Sequence, residues 1–526
     1  MADAGRDNYR GGRMRRSTLV RAIGLGLLVL LVLPATGFAD ATDLRNSIAG
    51  KPAYAPTVGI DTVWVIIAAS LVMFMQAGFA FLEIGFSRAK NAGTIVAKIL
   101  TNYSIAAIGY WAVGFAFAFG GPLGSFIGHD GGFFFSHLGP NFVKGTPNMF
   151  HPNFPAMALS DATIESKWFF QFVFCAVSLA IVWGTTLERI KFGVYVIYAL
   201  IFSTLIYPIG SHWVFGGGFL QNGNWLHTGI AGMQDFAGST AVHLIGATGA
   251  LAALLLLGPR RGKYGKDGKP RAIPGHNMPL FGLGVLILWL GWFGFNPGSA
   301  LQASDGRFAE ILFITNLAGA AGVLGAVATA FLSTKTVDIG MAGNGAIAAL
   351  VAITAPSGYI EIWAAPIVGV IAGIIVVRGV YFVDKYIDDP VGALSAHGMA
   401  GIWGTLSCGI FTAPRLAQYN GFGDPKGGLW YSGEFKQLAA QAIGFMIAFS
   451  FVFAASFATF FLIKKTYGLR VSPEEEDAGL DISEHGMYGY PEQFIPPAEL
   501  IGYSPVPVSA MSANPAATTT KEAFTS

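Results

Sequence analysis

Two stretches of this chain set a histidine at the same distance behind an aspartate. Asp235-Phe-Ala-Gly238-Ser-Thr-Ala-Val-His243 and Asp389-Pro-Val-Gly392-Ala-Leu-Ser-Ala-His397 both read D-x-x-G-x-x-x-x-H, and both open apolar runs. An imidazole can donate or accept a hydrogen bond and titrates near neutrality. A carboxylate ahead of a helix caps its free N–H groups and meets the positive end of the dipole. With the Asp at a helix start, the His eight residues on lies about 12 Å further along, at ~1.5 Å rise per residue. That is nearly halfway through a hydrocarbon core of ~30 Å. Ionisable groups at such depth are costly and mark a pathway. One buried histidine reads equally well as a satisfied core residue, but two at matching positions point to a site.

The rest of the chain supplies the membrane. Hydrophobic residues make up 53% of it and charged residues 12%, about half the charged share of a soluble domain, roughly 25%. The 70 glycines suit helices that pack closely in lipid. A net charge of +2 gives no basic excess for nucleic acid. Cys175 and Cys408 both fall inside apolar runs and read as free thiols packed as small hydrophobes. No hydrolase, kinase or nucleotide motif is present, and Gly216-Gly217-Gly218 follows no strand, so enzyme activity is not expected.

Residues 1–39 read as a signal peptide: Arg13, Arg15 and Arg16 precede an apolar stretch over 22–33, then Pro34 and small residues for cleavage near Ala39. An uncleaved anchor helix is the competing reading. Residues 40–60 are then an external segment, 61–466 the transmembrane domain, 467–495 a cytoplasmic regulatory tail and 496–526 a disordered C-terminus.

Eleven apolar segments follow the signal, near 62–86, 93–120, 168–187, 192–214, 236–257, 277–296, 310–332, 340–356, 361–383, 393–413 and 438–463. The fold class is therefore all-α, with eleven transmembrane helices. Loops after odd-numbered spans hold most of the positive charge, including Arg88, Lys90, Arg189, Lys191, Arg260, Arg261, Lys464 and Lys465. The positive-inside rule puts the C-terminus in the cytoplasm and the mature N-terminus outside. Spans 5 and 10 then cross in opposite directions, so the two D-x-x-G-x-x-x-x-H elements mark an inverted repeat of five plus five spans with an eleventh added. Gly238 and Gly392 are read as positions that let neighbouring helices approach. The loop over 121–166 is expected to pack over the external mouth, and Ser472-Pro473 to start a helix in the tail.

The chain resembles the ammonium transporter family of Amt, Mep and Rhesus proteins. The resemblance is carried by Asp235 to His243 with Gly246, Gly249 and Leu257-Gly258-Pro-Arg260, and by Gly291-Trp292-Phe293-Gly294-Phe295-Asn296-Pro-Gly298-Ser299-Ala300. Phe74-Met75-Gln76-Ala77-Gly78-Phe79 with Arg88-Ala-Lys90-Asn91, and the Glu474–Met487 tail, are similar to the Amt branch. The likeness spans roughly 60–490.

That resemblance implies roles for matching residues. Phe174, Phe215, Ser299 and Asp235 would bind ammonium at an external vestibule through aromatic faces and acceptor oxygens. Phe174 and Phe295 would stack as a gate, and His243 and His397 would line the pore beneath, sharing a hydrogen bond and passing NH3. Asp389 is read as a cap only. The Amt branch usually carries Trp where Phe215 stands, and Phe has the weaker π face for a cation. Trp213 would point along another face of its helix. Glu83, on the same helical face as Gln76, is expected near the cytoplasmic end, paired within the protein. Glu188-Arg189 reads as a solvated or tail-contacting pair.

The resemblance also implies a homotrimer in the inner or plasma membrane among lipid. A PII-type signalling protein would dock on the 258–272 loop and the tail. Ammonium, with methylammonium as an analogue, is the expected cargo, and no cofactor or metal is called for. The alternatives are an ammonium sensor, a Rhesus-like channel for neutral NH3 or CO2, and a bis-histidine haem protein.

Overall fold

A computed structural model describes residues 56–128, 133–135, 154–223 and 231–495. The proposed signal peptide, nearly all of the external N-terminal segment, much of the 121–166 loop and the C-terminal segment 496–526 lie outside the described residues.

The described chain is helical, with isolated bridges such as Ile190 to Arg470 in place of strands. Among the described residues nine helices are long and apolar enough to cross a membrane. They are α1 Thr57–Phe86, α2 Ala89–Phe119, α3 Ile164–Thr185, α4 Phe192–Asn222, α5 Ser239–Leu257, α6 Met278–Gly298, α7 Arg307–Thr334, α9 Ile362–Val383 and α11 Lys436–Thr466. α8, Ile339–Thr354, is apolar but shorter. α10, Ala400–Phe411, is entered through a wide turn, Leu394–Met399. Helices thus occupy all eleven expected segments, though α8 and α10 are short for a span by length alone. Leu100, Leu324 and Leu462 lie well exposed on α2, α7 and α11, as lipid-facing positions do in a multi-pass protein.

Neighbour relations recur between the first and second five helices. α1 packs on α3 as α6 packs on α8, and α3 packs on α5 as α8 packs on α10. α2 touches α3 and α4 as α7 touches α8 and α9. Small residues permit these contacts. A Cβ at Gly284 would collide with the backbone N of Leu82, and one at Gly373 with the backbone of Gly322. α1 and α6 therefore meet nearly backbone to backbone, as do α7 and α9, where dispersion contacts are densest.

Below the helices, near residue 188, charged side chains are buried rather than solvated. Glu188 accepts from the Arg88 backbone N at 2.7 Å and from its Nε at 2.6 Å. Asp388 takes two hydrogen bonds from the Arg260 guanidinium, each 2.9 Å. Arg189 is wholly buried and donates to the carbonyls of Gly258, Thr185, Leu187 and Asp388. The expectation of a solvated Glu188–Arg189 pair is therefore corrected: each finds other partners, which repay the desolvation of a buried charge. The tail contact is made by backbone instead, Val471 N to Arg189 O at 3.1 Å.

The tail folds back onto the helix ends. Ser472 caps α12, Pro473–Ala478, in a reciprocal capping box with Glu475, as S-x-x-E ahead of a helix predicts. α13, Leu480–His485, carries Asp481, whose carboxylate accepts from Gly93 N at 2.9 Å and Thr94 N at 2.8 Å. Lys90 Nζ donates to the carbonyls of Glu476 and Asp477.

Candidate functional site

The two D-x-x-G elements fold alike. Asp235 Oδ1 accepts from Gly238 N and Ser239 N, and Oδ2 from Thr240 N and Ala241 N, all within 2.8–2.9 Å. Asp389 accepts from Gly392 N at 3.1 Å and Leu394 N at 2.7 Å. Both aspartates are caps, as their positions predict. Both glycines lie in the left-handed region, φ +117° for Gly238 and +75° for Gly392. Their first need is conformational, and Gly392 also allows close approach, since an added Cβ would stand 3.0 Å from Val380 Cγ2 and 3.1 Å from Asn344 Nδ2. At Gly238 an added Cβ would also stand 2.6 Å from Val242 Cγ2 of its own turn.

Each cap is followed by one wide, π-type turn, Ser239–Leu244 or Leu394–Met399, and each turn holds its histidine. His243 N reaches back five residues to Gly238 O at 3.0 Å. α5 thus begins at Ser239 rather than at Asp235, and His243 sits only one turn inside it. The rise from Asp235 to His243 is therefore not that of one regular α-helix. π-turns expose backbone and redirect side chains, and they recur at functional sites.

The two turns bring the imidazoles together. His243 Nδ1 and His397 Nδ1 are 3.2 Å apart, and the rings are nearly parallel with centroids 5.2 Å apart. Both are buried. That contact leaves no room for iron and its porphyrin between them and sets the haem reading aside. His243 also lies flat against Trp292, 5.3 Å between centroids, and Phe295, 5.4 Å. Trp292 was not singled out from sequence. Its signal was present, three residues before Phe295 on the same helical face.

Phe295 in turn meets Phe174 at 4.1 Å between centroids. Beyond that pair opens a cavity of about 200 Å³, and Phe174, Phe215, Ser299 and Asp235 all line it. Ser299 Oγ donates to Phe295 O at 2.9 Å, which leaves its lone pairs for a donor in the cavity. Tyr359 and Tyr419 also line it, aromatic contributions that no local pattern announced. Met157 and Leu159 reach it from the 121–166 loop, where Lys167 Nζ anchors the Met157 and Ser160 carbonyls. Trp213 does not reach the cavity. Its Nε1 donates to Phe126 O at 2.6 Å and its ring packs on Phe451. On the other side His397 borders a second, smaller cavity.

The order along one line is therefore an aromatic vestibule, a pair of phenyl rings and a pair of hydrogen-bonded imidazoles. Such a line can strip and test a small cation and then pass a neutral N–H donor where water has no partners. Among the described residues no group of three or more His, Cys, Asp or Glu is placed to hold a metal ion.

Residues 63–490 match the Ammonium Transporter Family. The chain is 41% identical to the ammonium transporter Amt2 of Archaeoglobus fulgidus over 90% of this chain and 96% of that one. It is 34% identical to ammonium transporter 3 of Dictyostelium discoideum, covering 82% and 94%. Among solved structures it is similar to a protein titled a sensor Amt protein, with TM-score 0.71, 36% identity, and coverage of 82% and 99%. Mep2 of Candida albicans superposes with TM-score 0.69 at 28% identity, covering 82% and 90%.

Proposed function

The chain belongs to the ammonium transporter family, transporters rather than enzymes, and from that premise we propose that it carries ammonium inward across a cell membrane. Ammonium is captured among Phe174, Phe215, Ser299 and Asp235. It gives up its proton, which crosses by a separate route, and NH3 passes Phe174 and Phe295 and then His243 and His397. In this reading eleven spans cross the membrane as an inverted five-plus-five repeat with the C-terminus inside, three copies assemble, and the Glu474–Met487 tail regulates.

One observation carries the proposal: the His243–His397 pair lies directly behind the Phe174–Phe295 rings and the aromatic cavity. Each element alone has a packing explanation, but their succession fits a path for a small N–H donor. The vestibule can replace part of the cation's water with π faces and a hydroxyl. Asp235 contributes charge there, although its four backbone hydrogen bonds make it a cap first.

Ammonium-dependent charge movement on proteoliposomes of the full chain tests this. A current evoked by ammonium but not by sodium or potassium is expected, and its loss in the double variant His243→Ala/His397→Ala. Ammonium uptake without current would favour neutral NH3 passage instead. A sensing role is the second reading, favoured by the similarity to a structure titled as a sensor; binding of ammonium without any uptake would support it.

A further inference from the structure

The smaller cavity next to His397 has a second polar wall. Glu83 of α1 lines it together with His397, and Leu288, Ile347 and Val391 make apolar sides. Its volume is about 20 Å³, room for one water-sized molecule, since about 10–15 Å³ admits a single water.

Glu83 is 1% exposed, and neither carboxyl oxygen has a hydrogen-bond partner among the described residues. Among the described residues no ion-pair contact reaches it, and its pairing within the protein is electrostatic, with Lys98. Leaving such a group without hydrogen bonds is costly in an apolar wall. Lys98 of α2 is equally buried and acts on this carboxyl electrostatically. Lys98 Nζ also lacks a hydrogen-bond partner among the described residues, and it lies 5.3 Å over the Tyr195 ring. Lys98 is not part of the cavity wall. It acts on the carboxyl electrostatically without hydrogen-bonding to it.

We propose that Glu83 is a binding residue for the transported species on the inner side of the histidine pair, where an N–H donor no larger than ammonium, on leaving His397, donates to the Glu83 carboxyl. This rests on the transport reading above and adds to it a station that the imidazoles alone do not supply. Lys98 is a positioning residue: its charge favours the carboxylate form against burial in an apolar setting. The narrow cavity makes the station a size filter, because one added methyl group exceeds the space beside Glu83.

The test is ammonium flux into proteoliposomes for the full chain, with methylammonium as the larger probe. Glu83→Gln and the double variant Glu83→Gln/Lys98→Met are each expected to lower ammonium flux about tenfold, the loss of one charged hydrogen bond along the path. The double variant separates two roles. A carboxylate that serves only to neutralise Lys98 becomes dispensable once both charges are gone, so wild-type flux in that variant overturns the proposal. Should the Gln variants fail to fold, Glu83→Asp keeps both charges and withdraws the carboxylate by one methylene. It is expected to lose ammonium flux and to narrow the preference for ammonium over methylammonium; unchanged flux and preference overturn the proposal. Wild-type protein that moves no ammonium fails the transport reading instead, before Glu83 is in question.

Discussion

His243 and His397 share one hydrogen bond through their Nδ1 atoms, 3.2 Å apart. One Nδ1 must therefore carry the proton and the other the lone pair, so each ring fixes the tautomer of its partner. Replacing either ring frees the other to turn. His243→Ala and His397→Ala are each expected to lower ammonium flux about tenfold, the scale of one lost hydrogen bond. Because they lose the same bond, the double variant should fall short of the product of the two single losses. Flux assays on all three variants check this, and fully multiplicative losses would refute the shared bond as the working unit.

Phe215 borders the vestibule cavity with its face partly open. An indole there would offer a stronger π face to a cation. Cation–π contacts are worth about 0.5–2 kcal/mol, strongest for Trp. Phe215→Trp is expected to lower the ammonium concentration for half-maximal flux by about two- to tenfold, a part of that range, while leaving maximal flux nearly unchanged. Concentration dependence of uptake reads both quantities. Unchanged half-saturation would remove Phe215 from the recruiting surface.

The matched spacing from Asp to His was legible because capping and helix periodicity are local rules, and both caps form as those rules require. The π-turns were not legible. A five-residue reach such as His243 N to Gly238 O has no composition of its own, so no pattern gives the helix start at Ser239. Charge burial was missed for a related reason. Glu188 and Arg189 look like a loop pair in sequence, yet their partners Arg88, Gly258 and Asp388 come from distant segments. Lys98 escaped notice because a single lysine near a helix end reads as a snorkelling group, and only the packing of α1 against α2 and α3 shows it enclosed. Tyr359 reaches the vestibule from a turn and Tyr419 from the short helix Pro414–Asn420, placements that no periodicity gives.

Asp388 is the hinge of a pH response. Burial alone would raise its carboxyl, but the Arg260 hydrogen bonds and the Arg189 charge override burial and hold it at about 2, below its ordinary 3.8. A carboxyl depressed in the fold stabilises it above the unfolded value and loses that contribution as pH falls through the folded one. Thermal melting in detergent is therefore expected to weaken between about pH 4 and pH 2. Asp388→Asn should remove the part of that slope due to this group. It should also destabilise at neutral pH by about 3–5 kcal/mol, because two buried guanidiniums lose their counter-charge. An identical slope in the variant would assign the acid response to other carboxylates.

Asp481 fastens the tail to the first turn of α2. Its carboxylate is buried, and it accepts from Gly93 N and Thr94 N on one side and Gly489 N, at 3.0 Å, on the other. Leu480 N adds a bond to Asn91 Oδ1 at 2.9 Å. An aspartate from a distant segment thus caps the α-helical part of α2, which begins at Ala92 and whose N-cap residue, Asn91, makes no capping bond of its own. Removing a cap costs about 0.5–2 kcal/mol. Asp481→Ala is therefore expected to speed amide exchange at residues 93–94 and across 480–489 by about two- to thirtyfold. Both segments should change together, since one side chain holds both, while exchange on α7 and α8 stays as in the wild type. Faster exchange at the tail with no change at residues 93–94 would show that α2 starts without help and that the tail is only resting on it.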